Sequence, residues 1–281
     1  MFKRQTQGSV ICTSCGQLVG VNDAACYNCG RRNPGLWGFA PAFRALGNDL
    51  GFVPLVMGGT IVMYVVSLLF SGSGLRPMLA PSQQALILLG ASGAFPVFGL
   101  GHWWTLLTAA WLHGGLLHIF FNLLWVRQLG PAVAELYGPG RMVILYTVSG
   151  VVGFAFSSFA GRYLGGLPLI GGATLTVGAS APIFGLLGAL VYYGRRTGSS
   201  HIGQTGLQYA LLMGIFGLVA SGVDNQAHLG GFLGGYLTGL LLDPLRPERI
   251  DHLVAAAVCL LATFVAVAAS VVTALPLLMD R

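Results

Sequence analysis

Uncharged stretches with the length of a membrane-spanning helix recur along the chain after residue 50. A helix needs about 20 mostly apolar residues to cross the hydrocarbon core of a bilayer. The pattern predicts seven transmembrane helices, at about residues 52–70, 116–136, 142–161, 179–194, 206–222, 227–243 and 253–277. Residues 1–50 are polar and predict a separate small unit ahead of the helices. An odd number of spans places the two termini on opposite sides of the membrane.

The connection between the first two predicted spans, residues 71–115, is unusually long and apolar. It contains the stretch "SQQALILLGASG" and the aromatic pair Trp103 and Trp104. An ordinary water-exposed loop is more polar than this. We therefore expect an interfacial helix or a segment packed on the helix bundle.

The composition supports a membrane protein. Hydrophobic residues make up 55% of the 281-residue chain and charged residues only 8%, against about 25% charged residues in soluble domains. The mean hydropathy is +0.77. The 43 glycines suit helices that approach one another closely inside a membrane.

The distribution of basic residues predicts the orientation. If the N-terminus is cytoplasmic, 11 of the 14 lysines and arginines fall on the cytoplasmic side, as the positive-inside rule requires. These are Lys3, Arg4, Arg31, Arg32, Arg44, Arg127, Arg141, Arg195, Arg196, Arg246 and Arg249; the other three are Arg76, Arg162 and Arg281. We expect a multi-pass protein of a bacterial plasma membrane, with its C-terminus outside. We interpret the net charge of +6 as the basic residues that set the membrane orientation and contact anionic lipids. No nucleic-acid partner is expected.

Four of the five cysteines lie in two C-x-x-C-G turns of the polar N-terminal unit, "CTSCG" and "CYNCG". They are Cys12, Cys15, Cys26 and Cys29. Four thiolates at this spacing predict a tetrahedral zinc site, and the glycine after each pair permits the turn that directs backbone amides at sulfur. Two disulfides or a redox-active C-x-x-C are the alternatives, which a cytosolic location disfavours. So small a unit needs the free energy of metal binding to fold.

Four cysteine ligands leave no open coordination position, so the zinc is expected to be structural. We interpret residues 1–46 as a zinc-ribbon-like module with its linker, serving docking or regulation, with a protein partner as one candidate. Cys259 lies alone in an apolar helix and is interpreted as a packing residue.

Strongly polar residues inside predicted spans are few, and at membrane depth such residues mark function by default. In "HGGLLHIFFN", His118 and Asn122 are four residues apart and therefore share one helix face. His113 lies at or just above the helix start and is expected to brace the long connection. The alternative for His118 and Asn122 is simple hydrogen bonding to neighbouring helices.

Ser180 and His228 lie in two spans rich in small residues. Small residues spaced four apart let helix backbones approach closely, which would bring the serine within hydrogen-bond reach of the imidazole. The small residues are Gly178, Ala181, Gly185 and Gly188 around the serine, and Gly231, Gly235 and Gly239 after the histidine. Alternatively, an intramembrane histidine relays protons or tethers helices.

The sequence resembles the rhomboid intramembrane serine proteases over about residues 47–244. Three motifs in the family's order carry the resemblance: "WWTLLTAAWLHGGLLHIFFN", the G-x-S-x element at residues 178–181, and "AHLGGFLGG". The resemblance implies an all-α polytopic membrane protein with a six-helix rhomboid core at residues 47–250. A seventh transmembrane helix at residues 251–281 follows the core, and the zinc-ribbon-like unit precedes it.

The resemblance also implies roles for the polar residues. Ser180 would be the nucleophile and His228 the general base of a dyad that uses neither a carboxylate nor a cofactor. The side chains of His118 and Asn122, with the backbone amide of Ser180, would bind the oxyanion. Phe184 stands one turn after the nucleophile, where some members stack a tyrosine on the histidine.

The chain departs from the family pattern at two further places. Ala181 stands where a glycine usually follows the nucleophile, and its methyl group is a candidate to narrow the oxyanion pocket. Thr105 follows Trp104 where an arginine is common, which puts the anchoring of the long connection in question.

The expected activity is cleavage of transmembrane segments of single-span or other membrane proteins. A rhomboid-like protein that binds membrane segments without cutting them is the alternative. It is disfavoured because family pseudoproteases lack the serine or the histidine, and this chain has both. A transporter is a third possibility, but the sequence has no visible inverted repeat.

Overall fold

The computed structural model describes residues 4–41, 47–72, 79–167 and 169–279, with the side chains of 274–279 left out. Four basic residues of the charge argument, Lys3, Arg44, Arg76 and Arg281, lie outside this part of the chain. The described chain is mostly helical, as the sequence predicts.

Among the described residues, seven long α-helices and two short ones follow the N-terminal unit. In chain order they are α1 (Phe52–Leu69), α2 (Gln83–Leu88), α3 (Thr105–Thr108), α4 (Leu116–Tyr137), α5 (Pro139–Leu164), α6 (Ser180–Thr197), α7 (Ser200–Val219), α8 (Asn225–Leu241) and α9 (Ile250–Met279). The long helices coincide with the predicted spans, but α7 begins earlier than residue 206. Gly198, with φ +77°, ends α6 in the left-handed conformation and lets α7 start two residues later.

Five helices in the described residues are long and apolar enough to cross a membrane: α1, α4, α5, α7 and residues Ile250–Thr273 of α9. The other two long helices, α6 and α8, carry Ser180 and His228. Helix α8 has only 17 residues, and α6 ends in two arginines. Helix α6 is largely buried among neighbouring helices, whereas α8 packs on α5 and α6 with one face and exposes Leu229, Leu233 and Leu237 on the other. Seven crossings therefore remain a prediction from the sequence.

Helices α6 and α8 make the most extensive helix contact in the described bundle. A side-chain carbon at Gly231 would overlap the carbonyl group of Ala181, and one at Gly235 would overlap the backbone of Gly185. Only glycine permits backbones to approach this closely. The four-residue spacing of small residues therefore corresponds to a helix contact in the structure.

The long connection packs on the bundle. It contains α2, a π-helical turn at Phe95–Gly99, α3 and a 3-10 turn at Ala109–Trp111. Ser92 in this connection exchanges two backbone hydrogen bonds, of 3.0 and 2.8 Å, with Thr176 in the segment before α6. The connection thus packs against the loop that leads to Ser180.

Helix α9 anchors the same connection from another side. The indole Nε1 of Trp104 donates to Oγ of Ser270 on α9 at 3.1 Å, and Ser270 is buried. Thr105 is also buried, and its hydroxyl donates to the carbonyl of His102 at 2.7 Å. The loop motif is thus held by a hydrogen bond from Trp104 to α9. The next residue, Thr105, stands where an arginine is common in the family.

The N-terminal unit is a small two-stranded structure built on the cysteine turns. Strand β1 (Ser9–Ile11) pairs antiparallel with β2 (Leu18–Gly20). The unit contacts the core through Arg31, whose guanidinium donates to the backbone carbonyl of Glu248 at 3.2 Å. Glu248 is buried, and its carboxylate accepts from the backbone amide of Arg141 at 3.0 Å. The unit therefore rests on the turn between α8 and α9.

Further basic residues lie at this end of the bundle. Arg141 donates to the carbonyl of Arg246 at 2.7 Å. Asp243 pairs with Arg196 at 3.2 Å and with Arg246 at 3.4 Å. Arg162 lies instead at the C-terminal end of α5. Four of the residues that the sequence assigns to the cytoplasmic side, Arg31, Arg141, Arg196 and Arg246, therefore lie at one end of the bundle.

Candidate active site

Ser180 is the first residue of α6, directly after a turn that glycine makes possible. Gly178 has φ +129°, a conformation that other residues rarely adopt. Ser180 N–H donates to no protein acceptor in the described part of the chain. The first amides of a helix lack intrahelical partners, and the helix dipole favours negative charge beside them. The amide beside the Ser180 hydroxyl is thus free to bind an anion.

His228 lies in the first turn of α8 and is 7% exposed. Its ring stacks on the ring of Phe184, with centroids 4.1 Å apart and planes at 10°. Phe184 is one turn after Ser180 on α6, so the stack fixes the imidazole against the serine helix. An aromatic ring performs the packing that the resemblance implies for this position.

The glycine contact sets Ser180 and His228 at the same level of the bundle. Ala181, next to the serine, meets Gly231, three residues after the histidine. The serine hydroxyl and the imidazole do not hydrogen-bond in this structure, and His228 Nδ1 has no partner among the described residues. Catalytic hydrogen bonds are often long before substrate binds, so this spacing is compatible with a dyad.

His118 reaches the same place from α4. Its Nε2 lies 2.6 Å from the position that a β-carbon would take on Gly178, and the Ser180 Oγ lies 3.7 Å from that position. Asn122 is buried one turn further along α4, and its side-chain amide donates to the carbonyl of His118 at 2.8 Å. The structure thus brings His118 to the serine loop and Asn122 onto the same helix face.

His113 is fully buried and holds the loop before Ser180. Its Nε2 accepts from the backbone amide of Ala179 at 3.3 Å. The adjacent amide of Gly178 donates to the carbonyl of Ala109 at 2.9 Å. The long connection therefore positions both residues that precede the serine.

The methyl group of Ala181 faces Gly153 of α5. A β-carbon placed on Gly153 of α5 would lie 2.9 Å from the Ala181 β-carbon, and Ala181 is completely buried. The extra methyl thus packs between helices, whereas His118 borders the serine from the Gly178 side.

A family model described as Rhomboid domain matches residues 100–244, which is just over half of the chain. The chain belongs to the rhomboid family. The matched region includes every residue of the candidate site described above, and with the apolar helices it makes this an integral membrane protein.

Curated rhomboid relatives agree with this assignment. Rhomboid protease GluP of Bacillus subtilis is 32% identical over 188 residues, covering 64% of this chain and 34% of that protein. RHOMBOID-like protein 7 of Arabidopsis thaliana is 34% identical over 172 residues, covering 59% and 51%. A relative named Inactive RHOMBOID-like protein 8, from the same plant, is 29% identical over 166 residues, covering 56% and 43%. The chain thus spans between about a third and a half of these rhomboid relatives.

The four cysteines of the N-terminal unit form a second candidate site. All four are free thiols, and their Sγ atoms lie within 4.8 Å of one another. The Sγ atoms of Cys12 and Cys29 are 3.8 Å apart and those of Cys15 and Cys26 are 3.6 Å apart. A disulfide needs about 2.05 Å, whereas Zn–S bonds of about 2.3 Å in a tetrahedron place sulfurs roughly 3.8 Å apart. The cluster therefore fits a tetrahedral metal ion.

The two turns supply the expected backbone. Gly16 and Gly30 have φ of +77° and +71°, the left-handed conformation that glycine adopts freely. Burial favours the neutral thiol of Cys15, but hydrogen bonds from the Gln17 backbone and the Asn28 side chain outweigh it and lower its pKa to about 6, whereas burial raises the pKa of Cys12 and of Cys29. The thiolate is the form that binds metal.

Metal analysis of the purified protein should find about one zinc ion per chain, because four thiolates complete one tetrahedral site. The double substitution Cys15→Ser with Cys29→Ser is expected to lose the metal and unfold the unit. Cys259→Ser is the matched control and should retain the metal. A metal-free parent, or a double variant with full metal content, would contradict the zinc site.

Proposed function

We propose that this rhomboid family protein is an intramembrane serine endopeptidase that cleaves transmembrane segments of membrane proteins. One observation carries the proposal: Ser180, with a free amide at a helix N-terminus, lies on a helix packed closely against the helix of His228, whose ring stacks on Phe184. Membership of a family that includes a named rhomboid protease supports it.

In the proposed reaction, His228 accepts the hydroxyl proton as Ser180 attacks the scissile carbonyl. The Ser180 amide, assisted by His118 and Asn122, stabilises the oxyanion in a site where water is scarce. The protonated imidazole then gives its proton to the leaving amine, and a water molecule hydrolyses the acyl-enzyme with His228 again as base. Neither a metal ion nor a carboxylate takes part in these steps.

The proposed orientation has the N-terminal module in the cytoplasm of a bacterial cell. Support comes from three arginines at one end of the bundle, Arg141, Arg196 and Arg246, and from the contact of Arg31 of the module with the same end. The proposed substrates are single-span or other membrane proteins, entering from the lipid. The proposed domains are the zinc-ribbon-like module at residues 1–46, the rhomboid core at 47–250 and the added transmembrane helix at 251–281. We also propose that the module binds a protein partner.

The decisive test is reaction of the purified protein with a fluorophosphonate probe, followed by identification of the modified peptide. An activated serine should yield one modified site, Ser180, and the same preparation should cleave a generic single-span substrate in liposomes. A folded protein that is neither modified at Ser180 nor active on the substrate would instead favour a binding protein without protease activity; one relative is named as inactive.

A further inference from the structure

A buried serine on α5 joins the helix of His228 to the loop that leads to Ser180. The Ser157 hydroxyl donates to the Oδ2 atom of Asp224 at 2.6 Å. The hydroxyl oxygen of Ser157 also accepts from the backbone amide of Ala173 at 3.1 Å. Ser157 has no exposed surface, and its two partners are partly buried.

Asp224 uses its second carboxylate oxygen to cap α8. Its Oδ1 accepts from the backbone amide of Ala227 at 3.0 Å, and Ala227 directly precedes His228. An aspartate in this position satisfies one of the free amides of the first helical turn. The start of the His228 helix is therefore tied to Ser157 through a single side chain.

Ala173 begins the segment that ends in the serine turn. From there the chain passes Thr176, which pairs with Ser92, and reaches Gly178 five residues after Ala173. The approach of this segment to α5 is close, because a β-carbon on Gly172 would overlap the carbonyl of Ser157. One hydroxyl thus contacts both the segment before Ser180 and the residue that caps the His228 helix.

We propose that Ser157 and Asp224 are positioning residues that set the spacing between His228 and Ser180; this rests on the function proposed above. Neither side chain touches the reacting atoms. Their effect comes from geometry: the Ser157 bridge ties the capped start of α8 to the segment before Ser180, at the end of the helix contact where the dyad lies. A misplacement of about 1 Å can cost roughly 100-fold in rate.

The neighbouring residue provides a matched control. Ser158 is also completely buried on α5, but its hydroxyl has no hydrogen-bond partner in the described structure. Ser158→Ala removes the same atom as Ser157→Ala without breaking a bridge. Differences between these two variants therefore report the bridge rather than the loss of a buried hydroxyl.

The test measures kcat and KM for a single-span substrate in liposomes, well below the melting temperature of each variant. We expect Ser157→Ala and Asp224→Ala to lower kcat about tenfold or more with KM little changed, and to slow fluorophosphonate labelling of Ser180 in parallel. Asp224→Asn should recover part of the rate, because its amide oxygen still caps α8 and its amide nitrogen can donate to the Ser157 oxygen, which keeps the two residues bridged. Ser158→Ala should keep the parental kcat.

Three outcomes would overturn the inference. A Ser157→Ala variant with the kcat of Ser158→Ala would show that the bridge has no role in the reaction. A fall in kcat that only follows the folded fraction, without rescue by Asp224→Asn, would assign the bridge to stability alone. A parent that is folded but inactive and unlabelled would remove the proposed protease function itself, and with it any positioning role.

Discussion

Ser180→Ala and His228→Ala are each expected to reduce cleavage of a transmembrane substrate by a factor of at least about 10⁴. Removing the serine removes the atom that forms the acyl-enzyme. Removing the histidine leaves the hydroxyl without a base, since the neighbouring carboxylate of Asp224 is already bonded to Ser157 and to the α8 backbone. The double variant should be no slower than either single variant, because the two residues act in the same step.

The measurement is single-turnover cleavage of a single-span substrate, with each variant shown to be folded. His201→Ala is a suitable control, since His201 is exposed at the start of α7, which follows the end of α6 opposite to Ser180. It should cleave at the parental rate. Appreciable cleavage by the Ser180→Ala variant would exclude serine catalysis at this position.

Gly235→Ala is expected to lower stability by about 3 kcal/mol and to abolish cleavage. The added carbon would overlap the Gly185 backbone on α6. Because a backbone cannot move aside as a flexible side chain can, the two helices must separate. That separation would pull His228 from Ser180, and the effect on activity should exceed the effect on folding.

A glycine on a lipid-facing helix controls for the substitution itself. At Gly214 on α7 a β-carbon would meet no atom within 4 Å, and alanine forms helices better than glycine by up to about 1 kcal/mol. Gly214→Ala should therefore keep or raise the melting temperature in detergent and leave cleavage unchanged. Equal melting temperatures for the two variants would refute the close α6 and α8 contact.

The sequence alone located most of the parts of this protein. Apolar length predicted the helices, because a membrane imposes a minimum span on each of them. The C-x-x-C-G turns predicted the clustered thiols, since metal-binding turns depend on residues close together in the chain. The rhomboid motifs singled out Ser180 and His228, and the structure sets these residues on two helices in close contact.

The tertiary structure decided the contacts between residues that are far apart in the chain. Asp224 could have been identified as a helix cap from its position before "NQAH", but nothing in the sequence predicts its bond to Ser157, 67 residues earlier. The hydrogen bond from Trp104 to Ser270 joins residues that are 166 apart in the sequence, and the bond from Arg31 to Glu248 joins residues that are 217 apart.

The physical reason is the range over which each signal acts. Helix periodicity, span length and turn chemistry depend on neighbours within a few residues, so they can be read along the chain. Which helix faces which, and at what level, follows from packing of the whole bundle, where glycines admit close contact at some positions and not others. The sequence determined the helices and the chemistry of their side chains. Packing placed Ser180, His228 and His118 at the same end of the bundle.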